Sequence, residues 1–336
     1  MTAASLDRLL ALLSIAAVAT GGLTLRAGSP SGAWVFVAHG LVAGAVAVAM
    51  VLKVQSSVPR AAARGRWSPL LLGLAVALVA SIALAGGYAW VVSARLPSIG
   101  AWTVMTLHAW AGLVLAPIVA VHLLPRRWRV LRPGRGAVTE AGRRLLSRRA
   151  LLTGAAFSVA AIGLMQVAAV AERLGGGVRR FTGSRMLDRG GVPPATTFLL
   201  DEPPAIDAAA WRLRIHGRVD RPLDLTLDAL RAIGETDVEA TLDCTSGWAI
   251  ETTWRGVRLP VLLAAVGADA RARGVVVRSV TGWIANLPID EAGECLLATG
   301  VAGQDLPTAN GSPCRLVVPS RRGVDWVKWV DEIEVV

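Results

Sequence analysis

A cysteine in the second half of the chain occupies a place where a metal ligand would be both firmly held and reachable. Cys244 follows the strand-like run Asp237–Leu242 and precedes a Ser-Gly turn, in the segment Thr241-Leu-Asp-Cys-Thr-Ser-Gly-Trp248. Its thiolate is a soft ligand of the kind that binds transition metals. A lone cysteine is more often a small buried side chain, so the residue type alone leaves a structural role open.

Three further segments extend the pattern around Cys244. In chain order they are Trp254-Arg-Gly-Val-Arg-Leu-Pro-Val-Leu-Leu263, Asn310-Gly-Ser-Pro-Cys-Arg-Leu-Val-Val-Pro319 and Gly323-Val-Asp-Trp-Val-Lys-Trp-Val330. Together these segments resemble the molybdopterin domain of the sulfite oxidase superfamily, which includes the bacterial periplasmic methionine sulfoxide reductases. The resemblance extends from roughly Thr196 to Val336.

The resemblance implies a cofactor and the residues that hold it. In this family, molybdenum is bound by the two dithiolene sulfurs of the pterin and by one cysteine thiolate, which corresponds here to Cys244. Soft sulfur donors suit a metal that cycles between high oxidation states, and an open oxo position allows oxygen-atom transfer. The contacts to the pterin and its phosphate correspond to Ser279, Asn310, Arg315, Trp326, Val327 and Lys328.

Basic residues near a glycine turn indicate a phosphate-binding site without any appeal to the resemblance. The cluster consists of Arg315, Arg321, Arg322 and Lys328, and such groups bind phosphate through charge-assisted hydrogen bonds. The Arg321-Arg322 pair is equally consistent with a solvated loop. Sulfite oxidases use an active-site tyrosine, whereas the only tyrosine here is Tyr88, within an apolar stretch. This counts against sulfite, and a small oxo-transfer substrate of the sulfoxide or sulfite type is expected.

The first half of the chain has a different character, which indicates a membrane domain. The mean hydropathy of the chain is +0.53, and Asp7 is the only acidic residue among the first 139. A membrane-spanning helix needs about 20 apolar residues. Five stretches come near that length, and they lack the polar faces of a soluble bundle. They are Leu9–Leu25, Trp34–Leu52, Pro69–Val92, Trp102–Leu124 and Ala150–Val170.

The basic residues between these stretches predict the orientation in the bilayer. The second and third stretches, and the fourth and fifth, are joined by strongly basic loops, whereas the other two loops carry only Arg26 and Arg95. Basic loops stay in the cytoplasm, so five crossings would leave everything after Ala171 on the extracytoplasmic side of the cell membrane. The net charge of +11 is then a topology signal, and nucleic-acid binding is not expected.

The last basic loop carries one more signal. The segment Ser147-Arg-Arg-Ala-Leu-Leu152 precedes an apolar run and resembles a twin-arginine export signal. Arg148 and Arg149 are also consistent with the positive-inside rule alone. Export of a folded domain would allow a pterin cofactor to be inserted in the cytoplasm first.

These patterns predict a multidomain chain, with an all-α transmembrane helical bundle followed by an α+β mixed-sheet domain. Residues 1–130 form the four-helix transmembrane domain, 131–171 the basic loop and fifth helix, 172–195 a flexible linker and 196–336 the catalytic domain. In the catalytic domain, apolar alternation and turn residues predict strands and short helices. The strands are 211–217, 274–280, 314–318 and 332–336, and the helices are 227–233 and 259–266.

Histidines in the apolar stretches suggest a second cofactor. His39 and His108 lie on different helices at about 9 Å and 10 Å from the outer ends, at about 1.5 Å per residue. Two imidazoles at equal depth are what a haem b with two axial histidines needs. Two unrelated histidines bonded to carbonyls are the alternative. His122 lies about 21 Å further along the helix, so no second haem is expected.

The sequence therefore predicts a membrane-anchored molybdopterin oxidoreductase that exchanges electrons through haem b with a quinone or another carrier. One alternative is the same molybdenum domain on a haem-free anchor, served by a separate redox partner. The other is a non-catalytic binding or assembly protein of the same fold, against which the thiol of Cys244 argues. Cys295 and Cys314 are expected to be small buried thiols.

Overall fold

The computed structural model describes residues 3–65, 67–93, 96–100, 102–123, 148–175, 178–196 and 202–336. The chain separates into two compact units, which are described one at a time. The first comprises Met1–Thr24 and Ser31–Val178, and the second comprises Leu25–Pro30 and Arg179–Val336. Most of the predicted basic loop, residues 124–147, lies outside the described residues.

The first unit is helical. Its helices are α1 (Ala3–Thr24), α2 (Ala33–Ala62), α3 (Trp67–Val92), α4 (Val104–Leu123) and α5 (Arg148–Gly175), and strands β1 (Ser98–Ile99) and β2 (Trp102–Thr103) form a small hairpin before α4. Among the described residues, four stretches within this unit are long and apolar enough to cross a bilayer, and they match the first four predicted spans. The apolar part of α5, Ala155–Ala171, is shorter, so the fifth crossing stays a prediction.

The outer surface of this helical unit is apolar. Helix α1 packs along α2, and α3 packs along α4. Leu12, Trp67 and Leu78 nevertheless remain 66%, 61% and 62% exposed. Side chains of this kind on the outward faces of neighbouring helices suit contact with lipid rather than water. The unit therefore has the character of a membrane anchor.

The second unit is built on two sheets. The six-stranded sheet has the order β11-β10-β7-β3, with β12 paired to β10 and β6 paired to β7. Its strands are β3 (Arg185–Met186), β6 (Glu235–Asp243), β7 (Trp248–Arg258), β10 (Leu296–Val301), β11 (Gln304–Asp305) and β12 (Arg315–Val317). Strands β6 and β7 form a long antiparallel hairpin from Glu235↔Val257 to Asp243↔Ala249.

The second sheet is five-stranded, with the order β5-β4-β13-β8-β9. Strand β13 runs parallel to β4 and antiparallel to β8, so the sheet is mixed. Its strands are β4 (Leu213–Gly217), β5 (Leu223–Leu225), β8 (Gly274–Ser279), β9 (Ile284–Pro288) and β13 (Val330–Val335), and the short helices of the unit are α6 (Leu227–Gly234), α7 (Leu259–Val266) and α8 (Ile289–Ala292). The predicted α+β mixed-sheet class is confirmed.

A single glycine shows how tightly the first sheet is packed. Gly256 lies in the middle of β7, where a Cβ would stand only 2.0 Å from the carbonyl oxygen of Leu297 on β10. No side chain fits at that distance. The β7–β10 pairing behind the hairpin therefore depends on glycine at this position.

The structure places a helix end and a short strand within the predicted linker, 172–195. Helix α5 continues to Gly175, and β3 pairs in parallel with β7 through Arg185↔Trp248 and Met186↔Ala249. The longer segment of the second unit accordingly starts at Arg179. A two-residue strand gives no periodic signal in the sequence, and its partner is about 60 residues away.

Candidate functional site

Cys244 lies in the turn that closes the β6–β7 hairpin. Its backbone N–H donates to the carbonyl of Trp248 at 2.8 Å, and the N–H of Gly247 donates to the carbonyl of Cys244 at 3.0 Å. Gly247 has φ of +99°, a left-handed conformation that favours glycine. The cysteine side chain is half-buried. The turn therefore holds the thiol rigidly and leaves it reachable, as the sequence predicted.

Two hydroxyl groups contact the sulfur of Cys244. The Ser246 Oγ atom lies 3.0 Å from it, and the Thr196 Oγ1 atom lies 3.3 Å from it. The backbone carbonyl of Thr196 accepts a hydrogen bond from Lys328 Nζ at 2.8 Å, and the same ammonium donates to the carbonyl of Ala309 at 2.7 Å. Thr196 thus connects the candidate metal ligand to a candidate phosphate-binding residue.

The segment from Asn310 to Arg315 folds against Lys328. Asn310 is buried, and its Nδ2 donates to the carbonyl of Pro193 at 3.0 Å. Arg315 Nη1 donates to the carbonyl of Asn310 at 3.0 Å. Gly311 has φ of +113°, and a Cβ there would stand 3.0 Å from the Cα of Lys328. Glycine therefore allows these predicted cofactor-binding residues to approach one another closely.

Arg315 is a buried cation that suits an anionic ligand. Its guanidinium lies 5.3 Å from the ring of Trp254 and 5.8 Å from that of Trp326. Its buried Nε has no hydrogen-bond partner, and no carboxylate among the described residues lies within ion-pair distance of it. Burial lowers the pKa of Arg315 to about 10, and the neighbouring Cys244 partly opposes this shift. The group stays charged at neutral pH, so a pterin phosphate fits this donor set.

The remaining predicted pterin residues belong to the same part of the fold. The carbonyl of Val327 accepts from the N–H of Leu316 at 2.8 Å, and the indole of Trp326 is buried. Ser279 ends β8, where it is paired with Val330 at the start of β13. Its hydroxyl is buried and lies 3.0 Å from that of Thr281. Trp326 and Val327 directly precede Lys328 in the chain, and Ser279 is paired with Val330 two residues after it.

Arg321 and Arg322, the other two residues of the predicted phosphate cradle, are each paired with a carboxylate. Arg321 forms a bidentate ion pair with Glu291. The distance from Nη2 to Oε2 is 2.5 Å, and the distance from Nε to Oε1 is 2.9 Å. Arg322 is buried and lies 3.2 Å from Asp243 Oδ1. Because both guanidinium groups are paired with carboxylates, Arg315 is the better candidate for the phosphate, and the contribution of Arg321 and Arg322 stays a prediction.

A buried network behind the hairpin turn was missed by the sequence analysis. The carboxylate of Asp243 is 1% exposed and accepts hydrogen bonds from Thr182 Oγ1 and Ser184 Oγ, each at 2.7 Å. Arg322 Nη2 donates to Asp243 and, at 3.0 Å, to the carbonyl of Cys244. An acidic residue at the buried end of a strand, directly before the cysteine, was the only signal in the sequence.

The other two cysteines are free and buried, as expected. Burial raises the pKa of Cys295 to about 12, and it also raises the pKa of Cys314. Both side chains are therefore neutral thiols at physiological pH. They offer no thiolate to a metal, which leaves Cys244 as the chemically suited ligand of the three.

The structure brings His39 and His108 together within the helical unit. Their ring centroids are 6.0 Å apart, with an angle of 76° between the planes. His108 Nδ1 donates to the carbonyl of Ala83 at 2.7 Å, which leaves the lone pair on Nε2. His39 Nδ1 lies 3.0 Å from the hydroxyl of Thr20. That hydroxyl donates to the carbonyl of Ala16 at 2.7 Å, so it accepts from the imidazole.

Glycines allow the neighbouring helices to approach both imidazole rings. A Cβ at Gly21 would stand 3.2 Å from His39 Cε1, and one at Gly87 would stand 3.0 Å from His108 Cε1. His122 lies further along α4, about 21 Å from His108 at helical rise. The structure thus brings the two histidines close together and leaves the third apart, and the binding of haem by the pair stays a prediction.

Parts of this chain are similar in sequence to known proteins. Residues 200–336 match the oxidoreductase molybdopterin binding domain family. The chain is 30% identical over 166 residues to YuiH, an uncharacterized oxidoreductase of Bacillus subtilis, and the match covers 46% of this chain and 84% of the relative. The chain therefore belongs to the molybdopterin-binding oxidoreductases of the sulfite oxidase superfamily, and it is a molybdenum-dependent oxidoreductase.

Two further relatives are described as parts of methionine sulfoxide reductases. The catalytic subunit MsrP of the protein-methionine-sulfoxide reductase of Xanthomonas campestris is 34% identical over 144 residues, covering 38% of this chain and 45% of MsrP. YedZ1 of Azospira oryzae, a putative subunit of such a reductase, is 30% identical over 137 residues, covering 40% of this chain and 52% of YedZ1. The chain thus spans about half the length of these two relatives.

Proposed function

We propose that this oxidoreductase is anchored in the membrane and transfers oxygen atoms at a molybdenum ion bound by the thiolate of Cys244. The observation that carries this proposal is the position of the sulfur. It is half-buried on a rigid turn, and Thr196 connects it to Lys328 through contacts of 3.3 and 2.8 Å. A soft thiolate next to cationic groups suits a metal whose cofactor carries a phosphate.

The residues of the chain have separate tasks at this site. When bound, the molybdenum cofactor supplies two-electron oxygen-atom chemistry. Arg315 and Lys328 bind its anionic end, and the amide of Asn310 orients it. Trp254 and Trp326, both buried beside the guanidinium of Arg315, exclude water and strengthen its attraction for an anion.

The substrate class follows from two arguments. The second unit contains no tyrosine, since the only one in the chain is Tyr88 in α3. Two relatives are named for the reduction of methionine sulfoxide in proteins. We therefore favour reduction of a sulfoxide over oxidation of sulfite, with the electrons arriving from a quinone or another carrier.

The proposed electron path runs through a haem b held by His39 and His108. His39 and His108 would hold the haem iron through their imidazoles, and the haem would supply one-electron transfer. The support is that the two ring centroids lie 6.0 Å apart and that the hydrogen bond from His108 Nδ1 to the carbonyl of Ala83 leaves the Nε2 lone pair of His108 for a metal. A haem-free anchor with a separate redox partner is the outcome if no haem is found.

The catalytic unit is proposed to lie on the extracytoplasmic side of the cell membrane. The support is the charge asymmetry of the loops and the Arg148-Arg149 pair at the start of α5. A reporter enzyme fused after Val336 should be active only outside the cytoplasm. Replacing Arg148 and Arg149 with lysine should block export of the second unit while the first four helices still insert. Normal export of this double variant would remove the support for a twin-arginine signal.

Metal and pterin analysis of the purified full-length protein tests the central proposal. The protein should contain molybdenum and pterin in comparable amounts, and Cys244→Ala should abolish turnover while the fold is retained. Pterin bound through Asn310, Arg315 and Lys328 should partly remain in this variant. A Cys244→Ala protein with wild-type turnover would disprove the role of the thiolate.

A further inference from the structure

The sulfur of Cys244 is the centre of two hydrogen bonds from different parts of the chain. Ser246 belongs to the same turn and contacts the sulfur at 3.0 Å. Thr196 comes from the segment before the catalytic core and contacts it at 3.3 Å. Both distances lie within the range of hydrogen bonds to sulfur, which are longer than those to oxygen.

The direction of these hydrogen bonds is fixed once the sulfur binds a metal. A metal-bound thiolate carries no proton, so each hydroxyl must be the donor. Hydrogen bonds to a ligand sulfur withdraw electron density from it, and the more electron-rich, reduced state of the metal is then favoured. Two such donors should therefore raise the reduction potential of the metal.

We infer that Ser246 and Thr196 set the reduction potential of the molybdenum centre through hydrogen bonds to the Cys244 sulfur. This inference rests on the proposed function, in which Cys244 is the protein ligand. Neither hydroxyl touches the substrate in this account. Both are positioning residues that act through the cysteine.

Both hydroxyls are held in place before any cofactor binds. The turn hydrogen bonds from Gly247 to Cys244 and from Cys244 to Trp248 fix Ser246, which is 9% exposed. Thr196 is fixed by the 2.8 Å hydrogen bond from Lys328 to its carbonyl. Besides its proposed contact with the phosphate, Lys328 therefore also positions the Thr196 hydroxyl next to the Cys244 sulfur. Because both hydroxyl groups are already in position, they need not rearrange when the charge of the metal changes.

The chain offers a matched control in the same turn. Thr245 lies between Cys244 and Ser246, and its hydroxyl forms no hydrogen bond with any residue that the structure describes. The test therefore compares Ser246→Ala, Thr196→Val and the double variant with Thr245→Val. Each is purified as the full-length, cofactor-loaded protein. Molybdenum content is measured first, and the midpoint potential of the Mo(VI)/Mo(V) couple is then followed by electron paramagnetic resonance during redox titration.

Each single variant should keep its molybdenum and show a lower midpoint potential. A tenfold change in the one-electron equilibrium per hydroxyl corresponds to a downward shift of about 59 mV. The double variant should shift further than either single variant. Thr245→Val should match wild type, and Ser246→Thr, which keeps the hydroxyl, should recover most of the loss.

Unshifted potentials in molybdenum-loaded Ser246→Ala and Thr196→Val would overturn the inference while leaving Cys244 as the ligand. If Ser246→Ala lost its metal, Thr196→Val would decide the matter, because Thr196 lies outside the turn. An unshifted potential in that variant would overturn the inference. Absence of molybdenum from the wild-type protein, or full turnover by Cys244→Ala, would instead reject the proposed function on which the inference depends.

Discussion

Asp243 and Arg322 form a buried ion pair directly behind the candidate metal ligand, with Nη2 and Oδ1 3.2 Å apart. The side chains are 1% and 5% exposed. Arg322 also donates to the carbonyl of Cys244, and Asp243 accepts from Thr182 and Ser184. The pair therefore connects the turn that carries the cysteine to the segment directly before β3.

Loss of the carboxylate from this pair should destabilise the second unit strongly. Asp243→Ala leaves Arg322 buried without its countercharge, which costs about 3–5 kcal/mol. The unfolding temperature of the full-length protein in detergent, followed by tryptophan fluorescence, should fall by roughly 6–20 °C. Asp305→Ala is the control, because this side chain is 73% exposed and its ion pairs with Arg231 and Arg255 lie at the surface. Equal shifts in the two variants would contradict the structural role of the buried pair.

Arg315 should matter for cofactor retention more than for the fold. Its buried guanidinium has no carboxylate partner among the described residues, so Arg315→Met removes a buried charge and leaves no countercharge behind. We expect pterin content to fall by about tenfold or more, since a charge-assisted hydrogen bond to an anion contributes about 1.5–3 kcal/mol. Fluorescence of pterin in denatured extracts measures this loss. Arg278→Met is the control, because Arg278 pairs with Glu332 and Glu334 instead.

The sequence was sufficient for the local features of the fold. The apolar stretches of α1 to α4, the strand before Cys244 and helices such as Leu259–Val266 depend on periodicity and turn residues that lie next to one another in the chain. The resemblance of the second half then led to Asn310, Arg315 and Lys328, which the structure brings close together. Helices and strands of this kind can be predicted from the sequence because they depend on residues that are close together in the chain.

The features that were missed depend on contacts between distant residues. Thr182 and Asp243 are separated by 61 positions, and Thr196 and Lys328 by 132. In the sequence, the polar side chains of this network cannot be distinguished from exposed polar side chains in loops. Only the folded structure shows that they are buried. For the same reason the sequence does not reveal the ion pair of Arg322 with Asp243 or the pairing of β3 with β7. Single-sequence reasoning cannot identify the partner of a buried charge.

The haem proposal predicts a specific pattern among the three histidines of the helical unit. The detergent-purified protein should show a low-spin b-type spectrum, and His39→Ala or His108→Ala should abolish it. His122→Ala should keep the spectrum, since that residue lies outside the His39–His108 pair. Visible absorption spectra of the reduced and oxidised proteins measure this directly. A spectrum that survives the loss of both His39 and His108 would refute the assignment.

The same variants separate electron delivery from chemistry at molybdenum. Artificial dyes can reduce the molybdenum centre directly, so His39→Ala and His108→Ala should still turn over with a dye as electron donor. With a quinol they should fail, because the relay is missing. Equal rates with the quinol in wild type and both variants would favour a haem-free anchor with a separate redox partner.

X-ray absorption at the molybdenum edge tests the central claim most directly, because it counts the sulfur atoms around the metal. The comparison needs wild type and Cys244→Ser, a variant that keeps the turn and replaces the soft thiolate with a hydroxyl. We expect Cys244→Ser to retain pterin-bound molybdenum but to lose one sulfur from the metal's first coordination shell. An identical sulfur shell in the two proteins would contradict the assignment of Cys244 as the ligand.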